Sequence, residues 1–461
     1  MVISTVFDIF VSRRTLQHFK KDRQKALLNL SLKMNVQNKL NIADKTFDSW
    51  RKVSFNQRQK LVNNLASLLH DEAEALGMII TREMNKPISQ SIAEVEKCAW
   101  MCRFYGEAEN ILKDEKIETE FRISEVHYVP KGVILGVMPW NFPFWQVLRF
   151  AVPAILAGNT VVLKHASICF GSGRRIEKLF LEAGFPKGVF QNLAIGHQEV
   201  TTVLENPIVK GVSLTGSEKA GAEVAATAGK NIKKSLLELG GSDAFIILDD
   251  ADFAKAAESG AKARLQNCGQ ACNAGKRFII QKNVEKDFLP IFIDEFKKFV
   301  PGKPLDKATK ISGMARPDLA DELQQQYEKA LKAGAEVVVP LERLSETAFM
   351  PGLIKVKKGN PLLKEEVFGP LGMVLLAKDD QEALTMANDI PFGLSNSVWT
   401  KSKKRQQFFI NELESGTVSI NKESSSDPRL PFGGTKASGY GIELSLLALK
   451  EFVTTKTVVG N

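Results

Sequence analysis

The stretch "LQNCGQACNAGKRF" (residues 265–278) contains two cysteines four residues apart, Cys268 and Cys272, followed by a basic pair. Cysteines in such a pattern can bind a metal, form a disulfide, pack in a core or act as a nucleophile. Cys272 follows a Gly-Gln-Ala segment, and glycine allows the backbone to approach a bound molecule closely. Cys272 is therefore the candidate nucleophile, which requires a lowered thiol pKa or a nearby base.

A second cysteine pair, Cys98 and Cys102, has the same spacing, so a zinc site built from four thiols has to be considered. However, "KCAWMCRF" has a helical pattern, in which residues four apart simply share one face. Free cysteine is among the most buried residue types. We therefore expect Cys98, Cys102 and Cys169 to pack in the core, and we predict no metal site.

The base that Cys272 requires is not evident among the histidines, because none of the five lies in a pattern typical of a thiol hydrolase. A carboxylate is available in "LLELGGS", where Glu238 ends an apolar run before two glycines. In that setting Glu238 is either a partly buried general base with a raised pKa or a capping or salt-bridged residue.

A phosphate site is indicated by "VSLTGSEKAG", which has the pattern of a strand, a glycine turn and a helix. Gly216 and Ser217 would then lie at a helix N-terminus, where main-chain N–H groups bind phosphate. Lys164 ends the apolar strand in "VVLKHAS", and open α/β sheets bind ligands at such strand ends. A nucleotide cofactor, a thiol nucleophile and a carboxylate base together suit the oxidation of an aldehyde to an acid.

The elements that must position these residues alternate between helix and strand. Residues 42–113 have helical periodicity, residues 121–135 alternate as a strand does, and strands then alternate with helices. This pattern predicts an α/β protein with parallel, doubly wound sheets. The C-terminal "EFVTTKTVV" is a further strand, which we expect to combine with residues near 115–130 and to contact another subunit.

Composition is that of a globular protein, with 461 residues, 44% hydrophobic and 25% charged. Residues 1–40 carry +6 of the net charge of +9, and no downstream Lys/Arg run is interleaved with aromatics, so no nucleic-acid partner is expected. Apolar runs are shorter than the roughly 20 residues of a membrane span, and the five cysteines make no disulfide framework. We expect a cytoplasmic protein, although the basic N-terminus also loosely resembles an organellar transit peptide.

The sequence resembles the aldehyde dehydrogenase superfamily from about residue 42 to residue 461. Seven motifs occur in family order: "PWNFPFW" from Pro139, "LKHAS" from Leu163, "LTGS" from Leu214, "ELGG" from Glu238, "GQAC" ending at Cys272, "EEVFGP" from Glu365 and "PFGGTKASGYG" from Pro431. Within the superfamily, "SDPRLPFGG", "KCAWMCRFY" and "LEAGFPKGVFQNL" look most like the short-chain succinate-semialdehyde dehydrogenases.

The resemblance implies the aldehyde dehydrogenase fold, in which each subunit has three parts. A Rossmann-like cofactor domain would comprise residues 1–114 and 132–238, and an α/β catalytic domain would comprise residues 239–430. A small β oligomerisation element would combine residues 115–131 and 431–461. The family analogy implies a homodimer or a homotetramer.

The resemblance also implies roles for individual residues. Cys272 would be the nucleophile and Glu238 the general base, while Asn141 would donate its side-chain amide to the oxyanion together with the Cys272 N–H. Glu366 would hold the nicotinamide ribose, and Phe368 would pack beside it. The residues that match cofactor-lining positions are Trp140, Lys164, Ser167, Gly216, Ser217, Leu239, Glu366 and Phe368.

Ser167 bears on the choice of cofactor. Family members restricted to NAD often carry Glu three residues after the lysine, where a carboxylate would repel the 2′-phosphate of NADP. Ser167 can instead donate to that phosphate, and Lys164 can pair with it. The expected cofactor is therefore NADP or NAD, with NADP tolerated because Ser167 replaces Glu.

Arg149, eight residues after Asn141, matches the arginine that holds the distal carboxylate of succinate semialdehyde in the family. The alternative is an arginine on the solvent side of the following helix. A second arginine that some members carry is replaced here by Gln266, and Arg264 and Arg429 are the candidates to substitute for it. The implied substrate is succinate semialdehyde or a related semialdehyde.

Three other functions stay open at this point. The protein could oxidise uncharged aldehydes broadly, could be a binding homologue without activity, or could be a zinc-binding structural protein. Two features also depart from the family pattern. Residues 1–40 match no recognised segment, and Cys268 would lie one turn before Cys272 if that stretch is helical, either as a redox partner or as a packed bystander.

Overall fold

Two mainly parallel sheets form the body of the protein in the computed structural model, which describes residues 34–461. The predictions made for residues 1–33 lie outside the described residues. The α-helices span 34–50, Phe55–Asp71, Ala73–Met84, Ile88–Gly106, Trp145–Leu156, Phe170–Glu182, Val200–Glu205, Glu218–Lys230, Phe253–Leu265, Glu285–Lys297, Pro317–Lys332, Asp380–Asn388 and Lys403–Glu412. The predicted α/β class, with helices early in the chain and alternation after residue 132, is confirmed.

The first sheet is built from strands of the N-terminal half. In spatial order it contains Gly439–Tyr440, Lys234–Glu238, Val209–Thr215, Val133–Met138, Thr160–His165 and Phe190–Asn192. Its neighbours are parallel except for the short edge strand Gly439–Tyr440. The strand "TVVLKH" is buried along its whole length, as expected when helices cover both faces of a parallel sheet.

The second sheet contains the later strands. In spatial order these are Glu336–Val339, Gly352–Lys355, Leu371–Ala377, Arg277–Gln281, Ala244–Ile247, Ser395–Trp399 and Thr417–Ile420. All neighbours are parallel except the first pair. The chain passes from the first sheet to the second between Glu238 and Ala244, one strand and one helix before the cysteine segment.

A third, three-stranded antiparallel sheet, which we call the arm, combines Glu115–Lys116, Ile123–Pro130 and Val453–Gly460. The expected pairing of the C-terminal strand with residues near 115–130 is present, from Ile123 opposite Gly460 to Pro130 opposite Val453. Among the described residues the C-terminal strand has a partner on one side only, so its other edge is open. The assignment of these parts to functional domains stays a prediction.

Three of the cysteines are buried as the sequence predicted. Cys98 and Cys102 lie on the buried face of the helix Ile88–Gly106, and Cys169 is buried directly before the helix Phe170–Glu182. Burial raises the pKa of all three thiols. Within residues 34–461 no group of three or more His, Cys, Asp or Glu side chains is arranged to hold a metal ion.

Within residues 34–461 no helix combines the length and the apolar composition required to cross a membrane.

Candidate active site

The segment that carries the cysteines is not helical. The helix Phe253–Leu265 ends before it, and Asn267, Cys268 and Gly269 follow with left-handed φ angles of 53°, 56° and 73°. A Cβ atom on Gly269 would lie 2.3 Å from the carbonyl oxygen of Gly369, so only glycine is accommodated there. This tight turn delivers Cys272 to the space between the two sheets.

Cys268 and Cys272 pack in different parts of the structure. The Cys268 thiol lies 3.2 Å from the Ser312 carbonyl oxygen and is buried in the core of the second sheet. Cys272 instead packs against the core of the first sheet. The condition for aligning the two cysteines, a helical segment, is not met, and Cys268 is the packed bystander of the two alternatives.

Two cavities meet at Cys272. The larger, of about 490 Å³, is lined by Pro139, Trp140, Asn141, Gln146, Thr215, Gly216, Ser217, Glu218, Leu239, Gly240, Cys272, Leu319, Glu322, Leu323, Gln326, Lys364, Glu365, Glu366, Phe368 and Phe392. The smaller, of about 230 Å³, shares Gln146 and Cys272 with it and extends toward Arg149 and the loop Glu423–Ser426. We call them the cofactor cavity and the substrate cavity.

Most of the predicted cofactor residues line the larger cavity, because adjacent parallel strands end at the same edge of the first sheet. The residues brought together there are Trp140, Gly216, Ser217, Leu239, Glu366 and Phe368. The rings of Trp140 and Phe368 meet edge to face at 5.7 Å. Ser217 caps the helix Glu218–Lys230, so the predicted helix N-terminus faces this space.

Ser167 and Lys164 lie apart from this group. Ser167 lines a separate cavity of about 240 Å³ beyond the strand Thr160–His165. Lys164 is buried in that strand and lines none of these cavities, and burial lowers the pKa of its ammonium group. A cofactor that reached both Ser167 and Cys272 would therefore have to extend along the strand ends.

Glu366 is held in place by a buried lysine that the sequence analysis did not identify. The Nζ atom of Lys276 lies 2.7 Å from Glu366 Oε1 and donates at 2.7 Å to the carbonyl oxygen of Cys272. The same Nζ atom also donates to the Gly241 carbonyl at 2.5 Å. Lys276 thus connects the segment that carries Cys272 to the cofactor cavity. The basic pair after the cysteines was the feature of the sequence from which Lys276 could have been identified.

Asn141 is fixed by a second buried ion pair. Its side-chain Nδ2 donates to the Gln270 carbonyl at 3.1 Å, and its own carbonyl accepts from Lys86 Nζ at 3.2 Å. Lys86 in turn lies 2.5 Å from the Glu94 carboxylate, and both side chains are almost inaccessible to solvent. Asn141 therefore lines the same cavity as Cys272 in a constrained position.

Glu238 ends its strand in a buried position, as the apolar run before it predicted. Its exposed fraction is 1%, and its Oε2 lies 3.6 Å from a terminal nitrogen of Arg149. Burial raises the pKa of Glu238 to about 8, with Arg149 lowering it and the neighbouring Glu443 raising it. The raised pKa agrees with the general-base alternative and the Arg149 contact with the salt-bridged one, so the role of Glu238 stays a prediction. Glu238 is not among the residues described as lining either cavity.

Arg149 is buried rather than exposed. The helix Trp145–Leu156 is buried on every side, and the Arg149 side chain is 2% exposed, so the solvent-side alternative is wrong. Its Nε contacts the carboxylate of Glu443, and its guanidinium lies 5.0 Å from the centre of the Phe432 ring. Arg149 lines the substrate cavity. The sequence analysis missed Glu443, which no local pattern singles out.

The two arginines proposed to replace the missing one do not reach the substrate cavity. Arg264 is buried and donates to the main-chain carbonyls of Gly269 and Val367. Arg429 is exposed and holds the Asp427 carboxylate at 2.7 Å. Neither lines the substrate cavity, whereas Gln266 does.

The Cys272 thiol depends on a base. Burial raises the pKa of Cys272 to about 12, and Arg149 and Lys276 lower it only in part. A lowered thiol pKa, one of the two options stated from the sequence, is therefore absent in this arrangement. A carboxylate whose own pKa lies near neutrality is suited to removing protons at physiological pH, and Glu238 has that property.

Comparison with known proteins agrees with this geometry. The model of the aldehyde dehydrogenase family matches residues 18–458, a match that begins earlier than the resemblance noted in the sequence. A Synechocystis protein named probable succinate-semialdehyde dehydrogenase, with NADP⁺ in its name, is 43% identical over 92% of this chain and 94% of its own. An Escherichia coli succinate semialdehyde dehydrogenase named for NAD(P)⁺ is 40% identical over 92% and 93%.

A solved structure extends the comparison to the fold. The succinic semialdehyde dehydrogenase of Streptococcus pyogenes, in complex with NADP⁺, superposes with a TM-score of 0.89 and 36% identity, covering 92% of this chain and 95% of that one. The predicted fold class is thereby confirmed. With matched sequence, matched fold and a cysteine between two cavities, this chain belongs to the aldehyde dehydrogenase family.

Proposed function

We propose that this protein oxidises succinate semialdehyde to succinate, with NADP⁺ or NAD⁺ as the hydride acceptor. The observation that carries the proposal is the position of Cys272, which lines both the cofactor cavity and a substrate cavity that contains Arg149. The relatives named as succinate-semialdehyde dehydrogenases support the substrate, and the cofactors in their names support the use of NADP⁺.

The residues of the larger cavity fit a nicotinamide nucleotide. Trp140 and Phe368 provide apolar walls, and the N-terminus of the helix that begins at Glu218 offers main-chain donors to phosphate. The Glu366 carboxylate, held by Lys276, can accept from ribose hydroxyls. When bound, the cofactor would supply the acceptor for the hydride that leaves the aldehyde carbon.

We propose that the protein's own residues carry the remaining steps. Glu238 takes the Cys272 proton and releases it to solvent, and the sulfur adds to the aldehyde carbon to form a thiohemiacetal. The Asn141 amide and the Cys272 main-chain N–H donate to the oxyanion. Hydride departure leaves a thioester, which a water molecule attacks after Glu238 takes its proton. The C–S bond then breaks, releasing the acid and regenerating the thiol.

The test measures formation of reduced cofactor by absorbance with succinate semialdehyde or butanal and with NADP⁺ or NAD⁺. We expect a higher kcat/KM for succinate semialdehyde than for butanal, and no turnover by the Cys272→Ala variant. Equal or better use of butanal would favour an enzyme for uncharged aldehydes. Turnover that survives Cys272→Ala would contradict the mechanism, and a folded wild-type protein inactive with both aldehydes would favour a binding homologue.

We also propose that the arm mediates assembly into a homodimer or homotetramer. Its C-terminal strand, Val453–Gly460, has an open edge, and most of its side chains are exposed. Such an edge readily pairs with another strand. Sedimentation analysis should show an oligomer for the full chain and a smaller species when Thr455→Pro removes a strand donor. An unchanged oligomer would place the interface elsewhere.

The location of the protein in the cell stays a prediction. The cytoplasmic expectation rests on composition and cysteine usage, and the basic N-terminal residues keep import into an organelle as the alternative. Fractionation of cells producing the untagged chain would separate the two.

A further inference from the structure

The substrate cavity contains a lysine to which the sequence analysis gave no role. Lys97 lies on the helix Ile88–Gly106 and lines this cavity together with Arg149, Gln266 and Cys272. Two acidic residues, Glu94 and Glu423, line it as well. The charge available to a ligand therefore depends on which of these groups are already engaged.

Both acidic residues of the cavity are engaged elsewhere. Glu94 lies 2.5 Å from Lys86 and accepts from two main-chain N–H groups at the start of the helix Trp145–Leu156. Glu423 lies 2.8 Å from Lys262 and accepts from Ser259 at 2.8 Å. Neither contacts Lys97.

Arg149 is also committed, because its positive charge faces two buried carboxylates. Its Nε contacts Glu443, and a terminal nitrogen lies 3.6 Å from Glu238. A substrate carboxylate that relied on Arg149 alone would compete with both acids. The family resemblance implies two arginines that hold the substrate carboxylate. Here Gln266 replaces one of them, and the other, Arg149, is paired with Glu443 and Glu238.

Lys97 is the cation of the cavity that has no ion pair among the described residues. Its Nζ donates to Ser426 Oγ at 2.8 Å and lies 4.3 Å from the centre of the Trp145 ring. The nearby Asp427 carboxylate is bound by Arg429. An ammonium group carries three donors, so two remain after the bond to Ser426.

The lowered pKa of Lys97 is consistent with an ammonium group that has no anion in contact with it. Burial and, after it, the charge of Arg149 lower the pKa of Lys97, Cys98, Asp427 and Glu94 raise it, and the net pKa is about 8. A carboxylate placed between Lys97 and Arg149 would favour the charged form of the lysine. The half-buried position would make that attraction stronger than at an exposed site.

We propose that Lys97, supported by Ser426, binds the carboxylate at the far end of the aldehyde substrate. This inference rests on the proposed function and names a second residue that selects a carboxylate-bearing aldehyde. Lys97, on the helix Ile88–Gly106, would then take the part in carboxylate binding for which Arg264 and Arg429 were the candidates. Uncharged aldehydes gain nothing from Lys97.

The test compares the Lys97→Met and Lys97→Arg variants with the wild type on succinate semialdehyde and butanal. Loss of a charge-assisted hydrogen bond should lower the ratio of kcat/KM for the two aldehydes by about ten- to a hundredfold in Lys97→Met, mainly through KM for succinate semialdehyde. Lys97→Arg should restore part of the ratio. Lys60→Met, which removes an exposed lysine from a neighbouring helix, is the matched control and should leave the ratio unchanged.

The outcomes separate this inference from the proposed function. A wild type that prefers succinate semialdehyde, with the same preference in Lys97→Met, would overturn the role of Lys97 and keep the function. A wild type without the preference would overturn the proposed substrate, and the inference with it. If Lys97→Met fails to fold, Lys97→Gln, which also removes the charge, takes its place, and an unchanged KM for succinate semialdehyde in Lys97→Gln would overturn the role.

Discussion

The paired contacts of Arg149 predict that this residue tunes Glu238, the proposed catalytic base. The Arg149→Met variant would remove the positive charge that lies 3.6 Å from the Glu238 carboxylate. Because Arg149 lowers the pKa of Glu238 from the level that burial alone would set, its loss must raise that pKa above about 8. The active, ionised form of Glu238 would then appear only at higher pH.

The size of the effect follows from the separation. At 3.6 Å and an effective dielectric constant of about 20, the attraction between the two charges is about 4.5 kcal/mol. A change of one in pKa corresponds to about 1.4 kcal/mol, so complete loss would raise the pKa by at most about three. Since Glu443 shares the same guanidinium, we expect an increase of about one to two, equivalent to about a ten- to hundredfold lower rate at neutral pH.

The assay is the pH dependence of kcat/KM with butanal, a substrate without a carboxylate for Arg149 to hold. The acid limb of the profile should move to higher pH in Arg149→Met and stay nearer the wild type in Arg149→Lys. Arg149 also lowers the pKa of Cys272, so the effect on the thiol has the same direction. The exposed Arg174→Met variant is the control. An unmoved butanal profile, with only KM for succinate semialdehyde raised, would refute the reasoning and restrict Arg149 to substrate binding.

Three further predictions concern other parts of the structure. Ser167→Glu should lower kcat/KM with NADP⁺ by about tenfold or more through repulsion of the 2′-phosphate, with little change for NAD⁺ in initial-rate measurements. Gly269→Ala should lower the free energy of unfolding in denaturant titrations by about 1–3 kcal/mol, because φ is +73° and its Cβ would meet a carbonyl, whereas Gly229→Ala, with open space, should not. The pKa of Glu238 is raised from 4.5 to about 8, so the stability that its protonated form contributes is fully present below about pH 4.5 and is lost progressively as pH rises to about 8. Tm should therefore fall between about pH 5 and pH 8 and fall less in Glu238→Gln; an equal fall in both would contradict the assignment.

The sequence predicted the fold class because its signals are local. Apolar strands such as "TVVLKH" and the helices between them specify a parallel sheet, and a parallel sheet brings strand ends to one edge. The residues after those ends, including Trp140 and Ser217, were therefore predictable as neighbours. Burial of Glu238 was equally readable from the apolar run before it.

Other features could not be read locally. The contact of Arg149 with Glu443 joins residues that are nearly three hundred positions apart, and no spacing rule connects them. The left-handed turn at Asn267 and Cys268 overrides the helical spacing that would have aligned the two cysteines. The solvent-side alternative for Arg149 could have been set aside from the sequence, since a helix that is mostly apolar on all sides is typical of a buried one.

The arginine eight residues after Asn141 therefore does not by itself identify a carboxylate-bearing substrate. In this structure Arg149 satisfies two buried acids, and a buried ion pair that loses one partner typically costs about 3–5 kcal/mol. The cost of leaving these buried acids unpaired would by itself favour an arginine at this position, whichever aldehyde is the substrate. Substrate charge is better diagnosed by a cation that has no ion pair within the protein. Among residues 34–461, the cation of the substrate cavity that meets this condition is Lys97, so comparing its effect on succinate semialdehyde with that of Arg149 on butanal would separate recognition of the substrate from control of the base.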